Sequence, residues 1–220
     1  MTTDEIKEYE LLKKKNDLEI YAMQFWKRLD EEVFHKSLPV RGLPLQIQLE
    51  EFDDRLKQKD LAAGRTLFYP MADGNSYICI VIYLNPYTNI DEVQQTIRHE
   101  LLHLSLMVTG LKYSDFDAIF KILCERYDSR FYKKISGFDE ILYEQAKPLT
   151  DQAFTIMDEH KNSVVNCQVG ELIYTIGSTD VTETNLQDTI QKAKKILDEL
   201  NIYCKYIDEQ KQASALSENN

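Results

Sequence analysis

The chain has 220 residues, 43% of them hydrophobic and 29% charged, with 7 Gly and 5 Pro. That length holds one well-buried domain plus a small appendage, and that composition excludes long disordered or collagen-like stretches. A formal charge of −11, from 26 Lys and Arg against 37 Asp and Glu, excludes a chain-wide electrostatic grip on nucleic acid or anionic lipid and leaves only a local basic face for such a partner.

Apolar residues from Ile6 to Phe34 recur at spacings of three and four and predict a helix over 4–36. Its second half, from Tyr21 to Phe34 with the single Trp26, faces a core, while Lys13, Lys14 and Lys15 mark 1–17 as a solvated helical extension. Pro39, Gly42 and Pro44 break the pattern. Residues 45–49 alternate apolar and polar with period two and read as a strand with one buried face. A second strand, 64–69, follows a charged connection containing Asp53, Asp54, Arg55 and Lys57. After a turn at Asp73-Gly74-Asn75, the nearly continuous apolar run 77–84 predicts a buried strand that Asn85-Pro86 ends.

Thr88 or Asn89 can cap a helix over 90–109, whose first turn carries Asp91 and Glu92 and whose stop is Gly110. A helix over 116–127 and a less regular helical stretch to Lys147 follow, and Pro148 marks a boundary. Residues 164–176, with Gly170 inside and Gly177 after them, read as one or two short strands or a hairpin. Residues 185–206 read as an amphipathic helix capped by Thr182 or Thr184. The organisation expected is an extension (1–17), an α+β core (18–147), an appendage of short strands plus helix (148–207) and a disordered tail (208–220).

The N-terminus has no basic and then apolar leader and no 18 apolar residues run together, so a cytoplasmic protein without a membrane partner is expected. Cys79, Cys124, Cys167 and Cys204 form no C-x-x-C pair and read as reduced, packed thiols. Arg126, Arg130, Lys133 and Lys134, interleaved with Tyr127, Phe131 and Tyr132, are the one local arrangement that can meet phosphates and unpaired bases, although a solvated helix face with the aromatics turned to the core explains it better.

The chemistry concentrates in His99-Glu100-Leu101-Leu102-His103, an H-E-x-x-H on the helix over 90–109. Residues four apart share a helix face, so both imidazoles can ligate one Zn²⁺, and the intervening glutamate can act as general base toward a metal-activated water. A site of this class needs a third protein ligand. His35 and His160 lie far off in sequence; Asp115, Asp117 and Glu125 are nearer, and spacing does not choose among them.

The segment from Asn85 to Tyr127 resembles the core of the SprT-like metallopeptidases, in His99-Glu100-Leu101-Leu102-His103, then Gly110, then Tyr113-Ser114-Asp115-Phe116-Asp117-Ala118-Ile119-Phe120. That family carries H-E-L-x-H, a glycine, a histidine about five residues later and a closing phenylalanine; counted from Gly110, its third-histidine slot falls here on Asp115. The resemblance implies a zincin-like α+β core, a small antiparallel or mixed sheet packed on helices. It further implies a zinc peptidase with His99, His103 and Asp115 on the metal and Glu100 as base. Tyr113 would assist the oxyanion, and Asp117 would orient a ligand or hold the loop. An extended polypeptide, such as a segment of the DNA-associated proteins that family members act on, would lie along the edge of the 77–84 strand. The zinc ribbon common in that family, two C-x-x-C pairs, has no counterpart here. The competing expectation is a peptidase-fold interaction or regulatory protein of weak or no activity, acidic and encoded on a mobile element, that binds or blocks a protein partner.

Overall fold

Six α-helices and three strands follow one another in a computed structural model that describes residues 3–35, 37–38, 44–51, 64–70, 76–84, 89–131 and 133–218. In chain order, α1 (Thr3–Glu32), β1 (Leu45–Glu51), β2 (Gly64–Pro70) and β3 (Ser76–Leu84) precede α2 (Ile90–Val108), α3 (Ala118–Arg126), α4 (Phe138–His160), α5 (Ser163–Gly177) and α6 (Leu186–Glu218). The class is α+β with a small mixed sheet, as the sequence implies. The break at Pro39 and Gly42, the connection over 53–57, the 73–75 turn and Asn85-Pro86 lie outside the described residues. Among the described residues no helix is long and apolar enough to cross a membrane.

The sheet order is β1-β3-β2, with β1 parallel and β2 antiparallel to β3. Alternation along a strand sends every second side chain to one face. Ile78, Ile80 and Ile82 therefore share a face with Leu45 and Ile47 of β1, and all five are buried. Cys79 and Val81 on the opposite face are buried as well, which is why β3 reads as an unbroken apolar run. Both edges of β3 are thus paired, and the expectation that a peptide adds along 77–84 fails on topology: the strand is central. Among the described residues the free strand edges belong to β1 and β2.

Trp26 and Leu29 of α1 and Phe34 just beyond its end join these isoleucines and Ile97, Leu101 and Leu104 of α2 in one buried cluster. The Trp26 indole N–H donates to the Ser105 hydroxyl at 3.2 Å, so the largest buried side chain leaves no orphan donor. The same cluster takes in Val165, Val169, Leu172 and Ile173 of α5 and Ala193, Leu197 and Leu200 of α6, so the C-terminal helices complete the core.

Three expectations for this half are corrected. Pro148 marks no boundary; it sits inside α4, where the Thr150 hydroxyl donates to the carbonyls of Ala146 and Lys147. Residues 163–177 form a helix, with no hairpin. The β-branched content suggested strands, but Val165, Val169, Leu172, Ile173 and Ile176 are spaced for one helix face, and the Asn162 side chain caps the start by accepting from the N–H groups of Val164 and Val165. The polar tail continues α6 as helix through Glu218.

Gly170 lies where α5 meets the end of α1. A Cβ there would stand 1.9 Å from His35 Nε2 and 2.4 Å from the Val33 carbonyl oxygen, the latter backbone that cannot swing aside. Gly170→Ala is expected to destabilise the fold by about 3 kcal/mol, an overpacking cost, and to lower Tm by about 6–12 °C. A thermal melt unchanged from wild type would show that the two helices are not in this contact.

Candidate metal centre

Helix α2 presents the two imidazoles because its ends are fixed. Asn89 forms a reciprocal capping box with Glu92. At the other end Gly110 adopts φ 74°, with its N–H donating to Met107 O and the Leu111 N–H to Leu106 O. This Schellman stop turns the chain back over α2 and carries Asp115 to the histidines. The returning loop is clamped from the C-terminal helices: Lys112 N–H donates to Gly177 O and its ammonium to Val181 O, both at 2.9 Å, while Ala118 N–H donates to Asp139 Oδ1 at 3.0 Å.

His99 Nε2 and His103 Nε2 stand 3.1 Å apart, and Asp115 Oδ1 lies 3.3 Å from the first and 3.2 Å from the second. Atoms ligating one tetrahedral ion at zinc distances stand about 3.3–3.4 Å from one another, so this triangle fits such an ion closely. Among the described residues His99, His103 and Asp115 are the one group of three or more His, Cys, Asp or Glu whose ligand atoms come together in this way.

The far side of each ring decides its tautomer. His99 Nδ1 faces the Arg130 carbonyl at 2.8 Å, and His103 Nδ1 faces the Tyr113 carbonyl. A carbonyl only accepts, so both Nδ1 atoms carry hydrogen, and both Nε2 lone pairs point with the carboxylate into the triangle. Three acceptors this close repel unless a proton or a cation lies between them, which is the donor chemistry a metal requires.

Phe120, fully buried, holds both rings: it stacks on His103 at 3.9 Å between centroids and meets His99 edge-on at 5.0 Å. Arg98 fixes the segment that offers the Arg130 carbonyl, donating to Asp128 O and to the Tyr21 hydroxyl. Glu100 is 7% exposed and accepts from the Thr66 hydroxyl of β2 at 2.9 Å. His99, Glu100, His103 and Asp115 line a cleft of about 460 Å³ together with Gly64 to Thr66 of β2, Tyr113 and Ser114 of the loop, and Leu104 and Met107 of α2.

The other sequence candidates separate here. Asp117 precedes α3 and accepts from the Ser114 N–H at 2.6 Å, holding the loop; burial lifts its carboxyl above the usual range. Glu125 is engaged by the Tyr143 hydroxyl at 2.8 Å and by Lys121 and Lys147, and is no part of the triangle. Tyr113 lines the cleft, and its carbonyl does the orienting. His35 packs against Gly170, and His160 ends α4 beside Asp208, so neither joins the site. Half of the basic run is consumed internally: Arg126 grips Asp158 through two bonds, Arg130 pairs with Glu92 at 3.2 Å, and the buried Tyr127 donates to Glu32, while Lys133 and Lys134 stay exposed. Tyr132 lies outside the described residues. All four cysteines are free thiols, three of them buried, and burial pushes the Cys124 thiol up. Thr66 and the Arg130 carbonyl are the members of the site that sequence reasoning did not single out, while Phe120, the closing phenylalanine of the resemblance, acts as the brace.

Charge in the triangle gives a pH dependence. Hydrogen bonds from His103 and then His99 hold the Asp115 carboxyl well below the usual carboxylate range. Burial pulls the His99 imidazole down, but Asp115, the Arg130 carbonyl and Glu100 outweigh it and leave it above its ordinary 6.5. Without metal, the His99–Asp115 pair therefore stabilises the fold in a window. The Asp115 contribution is lost as pH falls through its depressed value, and the His99 contribution as pH rises through its raised one. A metal ion bound in the triangle would compete with the His99 proton. Affinity for a divalent ion, with zinc as the probe, is expected to climb with pH and to level off only above 6.5, as measured by competition with a chromogenic chelator. A plateau beginning below 6.5 would contradict this electrostatic arrangement.

Comparison with protein-family models, with curated proteins and with solved structures finds no significant match. The chain's own geometry carries the functional reading.

Proposed function

We propose that this protein is a zinc-dependent peptidase of the SprT-like kind, with His99, His103 and Asp115 as the metal ligands and Glu100 as the general base. The single observation that carries the reading is the triangle of ligand atoms at 3.1–3.3 Å with both imidazole tautomers fixed from behind, beside the buried carboxylate of Glu100. Zinc in such a site polarises a carbonyl and acidifies water, the chemistry peptide hydrolysis needs.

The chain's own residues supply the rest. An extended polypeptide lies along the edge of β2, the strand that borders the cleft, with its scissile carbonyl over the triangle. Glu100 takes the proton of the attacking water and hands it to the departing amine. Tyr113, which lines the cleft, is the residue assigned to donate its hydroxyl to the developing oxyanion. Asp115 in place of a third imidazole lowers the Lewis acidity of the metal and makes the activity modest. The internal pairing of Arg126 and Arg130 favours a general polypeptide substrate over one presented on DNA.

The test is zinc content together with zinc-dependent hydrolysis of an unfolded polypeptide, with His103→Ala as control. One zinc per chain and hydrolysis, both lost in the variant, is the expected result. No zinc in wild type after reconstitution would end the peptidase reading and leave the interaction protein.

A further inference from the structure

We infer that Thr66 of β2 is a positioning residue for Glu100, so that the strand forming the cleft wall also aims the base. The inference rests on the peptidase reading for its kinetic consequence and on geometry alone for its structural one. Thr66 lies opposite Ile80 in the register of β2 and β3, on the sheet face that β3 fills with Ile78, Ile80 and Ile82. A hydroxyl on an otherwise apolar face needs a partner, and its partner is the Glu100 carboxylate at 2.9 Å across 34 residues of sequence. Glu100 is nearly buried, and a carboxylate there requires a donor to hold it in one orientation.

The reach of that hydroxyl depends on how closely β2 approaches α2. Gly64, two residues earlier on the same face, sets the distance. A Cβ at Gly64 would stand 2.7 Å from Thr96 Cγ2 and 2.9 Å from the Val81 carbonyl oxygen, so only glycine lets the strand come in. Thr96 is itself one helical turn before Glu100 on α2. Glycine brings the strand to the helix, and threonine two residues on holds the base. Packing alone has no use for the hydroxyl, since valine has the same shape and suits a strand.

Thr66→Val and Thr66→Ser, each loaded with zinc, test this. In Thr66→Val, zinc content and KM should stay at wild-type values while kcat for an unfolded polypeptide falls about 10- to 100-fold, the usual cost of losing an outer orienting bond. Thr66→Ser, which keeps the hydroxyl, should restore kcat. A second readout needs no turnover: side-chain NMR couplings of Glu100 in the zinc-free protein should report one rotamer in wild type and Thr66→Ser and an averaged one in Thr66→Val. If Thr66→Val fails to fold, Thr66→Ala removes the hydroxyl without adding bulk and is read the same way. A single Glu100 rotamer in the hydroxyl-free variant overturns the inference, as does an unchanged kcat. An averaged rotamer in that variant, beside a wild type that hydrolyses nothing, supports the positioning contact and sinks the peptidase reading alone.

Discussion

Asp115→Ala is expected to lower zinc affinity by about 10²–10³-fold while leaving the fold intact. Structural zinc sites with four ligands bind with about 10–16 kcal/mol, so one ligand's share is about 2.5–4 kcal/mol, which converts to that factor. The loop keeps its shape without the carboxylate, because Lys112, Asp117 and Asp139 anchor it through other bonds. Both imidazoles likewise keep their tautomers, which are set from the far side by Arg130 and Tyr113. The variant therefore isolates the metal. Chelator competition on Asp115→Ala, Asp117→Ala and Glu125→Ala should show the large loss in the first alone. Full zinc affinity in Asp115→Ala would take the third ligand away from this loop and, with it, the argument from the triangle.

What the sequence made legible here is what is local. The histidine pair rests on a spacing of four within one helix, and both helix stops are written in adjacent residues, Asn89 with Glu92 at one end and Gly110 at the other. Asp115 was reachable only by counting from Gly110 in a family pattern, because a loop has no period to read. Thr66 and Arg130 lie 34 and 31 residues from the groups they touch. Arg130 contributes only a backbone carbonyl, which every residue possesses, so no residue type could announce it. Thr66 left one trace, a polar side chain in phase with the inward Gly64 of its strand, and that trace acquires meaning only once α2 is known to lie beneath.

The C-terminal half misleads for the opposite reason. Its local signals were strong and pointed the wrong way. Valine and isoleucine favour strands, and glycine and proline favour turns, so residues 164–176 looked like a hairpin and Pro148 like a break. Burial overrode them: Val165, Val169, Leu172 and Ile176 gain more by facing α1 and α6 as one stripe than their β-branched side chains lose in a helix. Gly170, which looked like a turn residue, is the small residue that lets α5 close on Val33 and His35. This half bears on the site as well, since Gly177 and Val181 hold the loop that carries Asp115.

Glu100→Gln should then separate binding the metal from moving the proton. The amide is nearly isosteric with the carboxylate, and its oxygen can still accept from the Thr66 hydroxyl, so the side chain stays where it is. It removes a charge from a nearly buried position and leaves no polar atom of Thr66 stranded, so stability should be equal to wild type or higher. Zinc content should be unchanged, because the triangle of His99, His103 and Asp115 does not include Glu100. Only the capacity to accept a proton is lost, and hydrolysis should fall by about 10²–10⁴-fold, the range general-base catalysis contributes. Metal analysis and peptide hydrolysis on the same preparation decide it. A zinc-replete Glu100→Gln that cleaves at the wild-type rate would remove Glu100 from the chemistry and require another base in the cleft. The expected pattern of zinc kept and turnover lost differs from Asp115→Ala, which loses both, and a zinc site that served structure alone would show no such split.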